Sequence, residues 1–167
     1  MVNCMHLVLF EPEIPPNTGN VARLCAATTT SLHLIEPLGF SLEDRYLKRA
    51  GLDYWPHVRL AVWPDFASYR AGAGTGMRLV ASSSRRGEMF HTFAFTVNDA
   101  IILGPETRGL PDSVVDQASA CVRIPIWGQV RSLNLSTAAG VLLYQAMAVT
   151  GMLDAQHSGS GIDLDRQ

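Results

Sequence analysis

The sequence predicts an α/β fold in which a mostly parallel sheet carries helices on both faces. Short apolar runs of strand length alternate with segments of helical periodicity along the chain. The first of these runs, MHLVLF over residues 5–10, has the composition of a strand buried in a parallel sheet. With 167 residues, of which 47% are hydrophobic and 17% charged, the chain can bury a core as one domain.

The first helix follows the first strand through a proline-rich turn. Pro15 and Pro16 end the strand. Asn17 is a favourable cap for a helix whose apolar residues recur at helical spacing as far as Thr28. The start of the chain therefore forms a strand, a polar turn and a helix in immediate succession.

The remaining elements continue this alternation. Further strands are predicted over 31–36, 58–62, 77–82, 100–104 and 121–124. Further helices are predicted over 42–50, 64–71 and 112–118, and a long one from about 134. The segment over 88–96 fits either a loop or an edge strand. We expect one domain over 1–152 and a flexible tail over 153–167, where the periodicity is lost and Gly and Ser are frequent.

Composition argues against metal sites, disulfides and membrane insertion. The three cysteines have neither metal-like spacing nor even pairing, so they are interpreted as core residues in a reducing compartment. The five histidines are scattered, and no metal is expected. The N-terminus lacks the features of a signal peptide, and no apolar run approaches the roughly 18 residues of a membrane span. We therefore expect a cytoplasmic protein.

The net charge of −2 at first disfavours a nucleic-acid partner, which needs a basic surface. The C-terminal tail, however, carries three aspartates and one arginine, so the rest of the chain is neutral. Within it, Arg45, Lys48 and Arg49 share a helical spacing, and Arg85 and Arg86 are adjacent. These clusters form either a local basic patch or an ordinary solvated face.

Polar residues follow the first, fifth and sixth predicted strands. In a parallel sheet, ligands bind outside the carboxyl ends of the strands, where these three loops would emerge. If the loops converge, one pocket holds Asn17, Arg23, Glu106, Ser132 and Asn134. The alternative is that Ser132 or Asn134 caps the last helix and that its loop is a solvent-facing connector.

These same three loops resemble the motifs of the SPOUT superfamily of RNA methyltransferases. The motifs are N-x-G-N-x-x-R over 17–23, L-G-P-E-x-x-G-L over 103–110, and I-P-I followed by S-L-N-L-S over 124–136. Within the superfamily, EPEIPPNTGN and RAGLDYW resemble the TrmL-like (YibK-like) tRNA ribose 2′-O-methyltransferases. The likeness extends over about residues 5–150.

The resemblance implies S-adenosylmethionine as cofactor and the wobble pyrimidine nucleotide in the anticodon stem-loop of a tRNA as target. It also implies a C-terminal trefoil knot, which chain connectivity rules would exclude, and a homodimer. Two alternatives remain open, namely another RNA target (another tRNA position or ribosomal RNA) and a non-catalytic RNA-binding module of the same fold. A dinucleotide oxidoreductase is disfavoured because no GxGxxG follows the first strand.

The last helix independently favours a buried, two-sided position. One apolar face is predicted to comprise Leu135, Ala138, Ala139, Leu142, Ala146 and Val149, with Val141 and Ala148 extending it. A helix that is apolar nearly all round packs on more than one side. This is consistent with a subunit interface on the helix.

The resemblance also assigns roles to residues. It places the cofactor at Ser82, Gly104, Ile124, Ser132 and Asn134, where glycine lets a ligand approach the backbone. It places Arg23 at the target ribose, where a guanidinium suits phosphate binding and alkoxide stabilisation better than proton abstraction. Asn17 then orients Arg23 or contacts the ribose. Glu106 either holds the guanidinium in a bidentate pair or bonds the cofactor.

Three further residues are assigned to the RNA. The resemblance places Arg131 near the RNA and matches Tyr144 to a tyrosine of the last helix, for which packing in a dimer is the alternative. Arg85 is a candidate phosphate contact. Three departures from the family pattern stand out: Gln145 replaces an acidic residue after the tyrosine, the loop over 127–130 is bulkier than expected, and the polar tail after Met152 is not part of the pattern.

Overall fold

The computed structural model describes residues 4–42 and 54–157, and a sheet of seven parallel strands forms its centre. The strands are β1 (His6–Phe10), β2 (Ser31–Ile35), β3 (Arg59–Trp63), β4 (Arg78–Ser82), β5 (Glu88–Met89), β6 (Asp99–Leu103) and β7 (Ala120–Arg123). Their order across the sheet is β3-β2-β1-β6-β4-β7-β5, and each of these neighbours pairs in parallel. The predicted α/β fold is confirmed, and all six predicted strands lie within one residue of their expected bounds.

Helices cover both faces of the sheet, as predicted. They are α1 (Pro15–Thr28), α2 (Phe66–Ala71), α3 (Asp112–Val115), α4 (Leu135–Val149) and α5 (Met152–His157), with a 3₁₀ turn over Trp55–His57. The helix predicted over 42–50 and the cluster of Arg45, Lys48 and Arg49 lie outside the described residues, apart from position 42.

The alternation of side chains along β1 shows how the two faces are filled. Leu7 and Leu9 pack into a core that includes residues of α1 and α4, and Val8 packs into a second core with Tyr69 of α2 and Val114 of α3. Successive residues of a strand point to opposite faces, so a run that is apolar throughout supplies both cores. The sheet is therefore buried on both sides.

The strands align so that their carboxyl ends share one edge of the sheet. Leu9 of β1 lies beside Leu34 of β2 on one side and beside Leu103 of β6 on the other. On the far side of β6, Ser82 at the end of β4 lies beside Val122 of β7. The loops that follow these strands therefore leave the sheet next to one another, which is the condition for a shared site.

An ion pair between a half-buried arginine and a fully buried carboxylate lies at the opposite edge of the sheet. Asp99, fully buried at the start of β6, accepts hydrogen bonds from Nε and Nη2 of Arg78 at 2.7 and 2.8 Å. Its carboxylate also accepts from the backbone N–H and the hydroxyl of Thr96. The hydrogen bond to Asp99 raises the pKa of Arg78. Because each oxygen of the carboxylate is paired more than once, the charge is compensated despite its burial.

Four expectations are corrected or refined by the structure. The segment 88–96 contributes a two-residue edge strand, β5, which pairs with β7 alone among the described strands. Ile14 occupies the N-cap position of α1, so Asn17 lies inside the first turn and is not the cap. The first residues of the expected tail, up to His157, form helix α5. Val149, expected on the apolar face of the last helix, is exposed.

Candidate functional site

The three loops predicted to converge are joined by a chain of amide and carboxylate hydrogen bonds. Nδ2 of Asn17, in the first turn of α1, donates to Oε1 of Glu106 at 3.0 Å. Nδ2 of Asn134, at the start of α4, donates to Oδ1 of Asn17 at 2.9 Å. Asn17 is only 6% exposed, so both of its polar atoms are satisfied by protein. The loops after β1, β6 and β7 therefore meet at this asparagine.

The loops after β1 and β6 are also joined by reciprocal hydrogen bonds, in which a carboxylate of each loop accepts from the other loop. Glu106 accepts from the backbone N–H groups of Glu13 at 2.9 Å and Ile14 at 3.2 Å. In return, the Glu13 carboxylate accepts from the backbone N–H of Thr107 at 3.0 Å and from its hydroxyl at 2.9 Å. Glu106 thus supplies the negative charge that a helix N-terminus favours. At the start of α1, the place where an anionic ligand could bind is therefore taken by a carboxylate of the protein itself.

Arg23 stands apart from this junction. Its side chain is exposed on α1, and its guanidinium carbon lies 5.7 Å from the centroid of the Tyr54 ring. Arg23 lies six positions after Asn17, an offset that in an α-helix corresponds to about 9 Å along the axis and about 120° around it. The expected pair between Glu106 and Arg23 does not form, and Asn17 does not orient the guanidinium, because Glu106 and Asn17 are bonded elsewhere.

The residues assigned to the cofactor follow three adjacent strands. Ser82 ends β4, Gly104 follows β6 and Ile124 follows β7, all at the carboxyl edge and all half-buried. A Cβ at Gly104 would lie 2.2 Å from the backbone nitrogen of Leu110. The turn of the chain itself therefore requires glycine at position 104, and the assignment of Gly104 to the cofactor stays a prediction.

The last two assigned cofactor residues lie in the loop that leads into α4. Ser132 is exposed in this loop. Asn134 is the N-cap of α4, since its Oδ1 accepts from the backbone N–H of Ser136 at 2.9 Å and of Thr137 at 3.4 Å. The capping role and the link to Asn17 use different atoms of one side chain, so Asn134 positions the start of α4 against α1.

The residues assigned to RNA are all exposed. Arg85 lies in the loop after β4, Arg131 in the loop after β7, and Tyr144 on the outer side of α4. Arg86, next to Arg85, donates instead to Asp112 at 2.8 Å and lies 3.8 Å from Asp116. Of the two adjacent arginines, Arg86 is thus neutralised by these two carboxylates.

Several residues of this edge were not identified from the sequence. Besides Glu13 and Thr107, these are Glu11 and Arg108, which form an ion pair between the loops after β1 and β6. A cleft of about 180 Å³ opens beside them, and its lining comprises Glu11, Glu13, Pro37, Leu38, Gly39 and Arg108. The two glutamates around Pro12 were the available signal, because carboxylates at the end of a buried strand are kept near the interior only when they are paired.

Two further observations concern metal binding and membrane insertion. Within the described ranges, 4–42 and 54–157, no group of three or more His, Cys, Asp or Glu side chains is placed to hold a metal ion. No helix in the same ranges is long and apolar enough to cross a membrane.

The parallel sheet occurs in solved structures of other proteins. An AdoMet-bound rRNA methyltransferase from Sinorhizobium meliloti has a similar fold, with a TM-score of 0.76 at 24% identity over 86% of this chain and 56% of that one. This chain therefore shares the fold of that methyltransferase.

The SpoU rRNA Methylase family matches residues 4–144, which include all three loops, and the chain belongs to this family. It is 50% identical, over 142 residues, to the tRNA (cytidine(34)-2′-O)-methyltransferase of Methylovorus glucosotrophus (strain SIP3-4), covering 84% of this chain and 92% of that one. A solved structure that concerns the 2-OH methylation of C/U34 on tRNA has a TM-score of 0.83 at 48% identity. That match covers 87% of this chain and 95% of the other. The resemblance stated from the motifs is confirmed.

Proposed function

We propose that this chain transfers a methyl group from S-adenosylmethionine to the ribose 2′-hydroxyl of nucleotide 34, a pyrimidine, in the anticodon stem-loop of tRNA. The observation that carries the proposal is the junction of Asn17, Glu106 and Asn134, which brings the three loops of the family match to one edge of the sheet. The likeness to tRNA (cytidine(34)-2′-O)-methyltransferases, which extends over nearly their whole length, supports the choice of nucleotide.

The residues at the ends of β4, β6 and β7 fit the cofactor in their chemistry. Ser82 and Ser132 offer hydroxyl groups, and half-buried Ile124 offers apolar surface at the end of β7. A nucleoside needs this combination of apolar contact and a few polar groups. When bound, S-adenosylmethionine supplies a methyl group whose bond to sulfur breaks as the bond to the ribose oxygen forms.

Arg23 is the group we assign to the reacting ribose. A guanidinium donates hydrogen bonds and accepts none, so it is suited to bind the adjacent phosphate and to stabilise the ribose oxygen as the hydroxyl proton passes to solvent water. General-base action by Arg23 is the less favoured alternative, because a protonated guanidinium has no site that accepts a proton. The exposed position of Arg23 on α1 leaves the guanidinium accessible to RNA.

The proposal is tested with labelled S-adenosylmethionine and unmodified tRNA transcripts, followed by mapping of the methylated position. We expect one labelled ribose, at nucleotide 34. Arg23→Ala should lower the rate by about 100-fold or more, the range found when one group stabilising a developing oxyanion is removed. Arg59→Ala, which changes an exposed arginine at the start of β3, is the matched control and should retain the rate. Methylation elsewhere, or full activity of Arg23→Ala, would contradict the assignment.

Three further features belong to this proposal. We infer a homodimer formed through the outer side of α4, where Tyr144 is exposed. We infer a trefoil knot in the part of the chain that includes the loop after β7 and helix α4. The tRNA substrate of the similar enzymes supports a cytoplasmic location.

A further inference from the structure

Trp127 is unusually exposed for its residue type. Its side chain is 91% exposed, the highest value among the large hydrophobic residues that the structure describes, and Val130 in the same loop is 62% exposed. Tryptophan is highly buried on average, so an indole in solvent needs a reason that a lone surface leucine does not. The other two tryptophans are packed: Trp55 lies against the core, and Trp63 donates its Nε1–H to His33.

The loop that carries Trp127 is part of the candidate site. It begins where β7 ends at Arg123 and runs to Asn134, whose side chain is bonded to Asn17. The indole therefore lies within a few residues of Ile124 and Ser132, the positions assigned to the methyl donor.

Two exposed arginines belong to the same edge of the sheet as this indole. Arg131 is exposed in the same loop, and Arg85 is exposed in the loop after β4, the strand that pairs with β7. Arg86 forms an ion pair with Asp112. Of the two adjacent arginines, Arg85 is therefore the one whose charge remains exposed to solvent. An aromatic ring accompanied by cations is the arrangement that proteins use for unpaired nucleotides, with stacking on the base and ion pairing to the phosphates.

We propose that Trp127 is a stacking platform for an unpaired base next to the methylated nucleotide, and that Arg85 and Arg131 hold the flanking phosphates. The inference rests on the proposed function, because the substrate must present single-stranded nucleotides at this edge. Stacking tolerates any base, so Trp127 fixes the position of the RNA chain and does not select a base. It holds the RNA chain from the loop after β7, independently of Arg23 on α1.

Three substitutions separate stacking from apolar bulk. Trp127→Ala and Trp127→Leu should each weaken binding of a tRNA transcript by about 5- to 150-fold, the range for loss of one stacked base, whereas Trp127→Phe should remain within a few-fold of wild type. In methylation assays KM for tRNA should rise in the same order while kcat changes little. Equal affinity of the Leu and Phe variants would overturn the stacking role.

A fluorescent base reports the contact directly. Transcripts carrying 2-aminopurine at position 33 or at position 35 are titrated with each variant. Stacking should quench the probe at one of the two positions with the wild type and with Trp127→Phe, and leave it bright with Trp127→Leu. Absence of quenching at both positions with wild-type protein that methylates nucleotide 34 would overturn the inference and leave the proposed function intact.

Two alternative roles for the exposed indole are distinguished by measurements without RNA. If Trp127 instead contacts a second copy of the chain, Trp127→Ala changes the sedimentation coefficient. If it covers the cofactor, the same variant weakens binding of S-adenosylmethionine. Either result would contradict the proposal. Failure of the wild type to methylate tRNA would refute the proposed function itself. The stacking role of Trp127 and the proposed function therefore fail on different results.

Discussion

His33 is the residue whose protonation state the fold constrains most visibly. It is 6% exposed, and its Nδ1 accepts a hydrogen bond from Nε1 of Trp63 at 3.0 Å. The neutral ring must then carry its proton on Nε2, which is buried and has no hydrogen-bond partner among the described residues. A second proton would make the buried His33 ring positively charged. The centroid of the His6 ring lies only 4.4 Å from that of His33. Burial, and then the charge on His6, lower the pKa of His33 to about 4.

This shift predicts a loss of stability in mild acid. Since the pKa falls from 6.5 in the unfolded chain to about 4 in the folded one, the unfolded state binds more protons between these values. The free energy of unfolding should be retained above the unfolded pKa and should drop by about 2 kcal/mol between about pH 7 and pH 5. Urea unfolding at the two pH values measures the difference.

The control for this prediction uses two glutamine variants. His33→Gln keeps an acceptor for Trp63 but does not titrate, so its unfolding free energy should vary less between the same two pH values. His91→Gln changes an exposed histidine and should keep the wild-type dependence. If His33→Gln and wild type lost equal stability on acidification, the assignment to His33 would be wrong.

At the scale of elements, strands were predictable to within a residue, whereas the contacts of the site were not. A run such as that of β1 is apolar on both faces, and this local property is sufficient to define a buried strand. The convergence of three loops also followed, because parallel strands present their carboxyl ends at one edge. The partner of Asn17, however, is Glu106, 89 residues away, and no local pattern distinguishes this contact from an ordinary helix cap.

The two errors at helix ends have related origins. Pro15 and Pro16 occupy the first positions of α1, where a missing N–H costs nothing, so the helix starts before the asparagine that resembles its cap. On α4, Val149 matched the apolar periodicity but is the last residue of the helix and is exposed. Periodicity identifies an apolar face without saying whether the neighbour belongs to the same chain.

The outer side of α4 leads to a prediction about assembly. Thr137, Val141, Tyr144 and Ala148 recur at helical spacing on one face that the chain itself leaves exposed or half-buried. Tyr144→Glu would place an unpaired charge in the proposed interface, so we expect dissociation into monomers at micromolar concentration. Sedimentation velocity measures the change.

Ala27→Glu serves as the matched control, since it adds the same charge at an exposed position of α1. It should keep the oligomeric state of the wild type. A Tyr144→Glu protein that sediments like the wild type would show that α4 does not form the interface.

The whole molecule has a net charge of −2, so its attraction for RNA depends on where its positive charges lie and not on their total. Arg85 is exposed, while Arg86 is paired with Asp112 and Asp116. Arg85→Ala should weaken tRNA binding and lower the slope of log K against log salt by about 1, as expected when one phosphate contact is lost.

Arg86→Ala provides the comparison, since it removes the same charge from the neighbouring position. It should leave the salt slope unchanged, because its guanidinium is already compensated by carboxylates. Binding measured between about 50 and 200 mM salt covers the range in which such contacts are visible. Equal slopes for the two variants would remove Arg85 from the RNA-binding surface.

The order of strands in the sheet also constrains how the chain acquires its fold during synthesis. β1 and β4 join through β6, so the first three strands and the fourth cannot form one sheet until Leu103 has left the ribosome. Before then, the nascent chain presents open strand edges of the kind that pair with other molecules. Because parallel pairings between distant segments form slowly, the joining of the two halves of the sheet depends on β6, and a chain interrupted before Leu103 would keep those edges open.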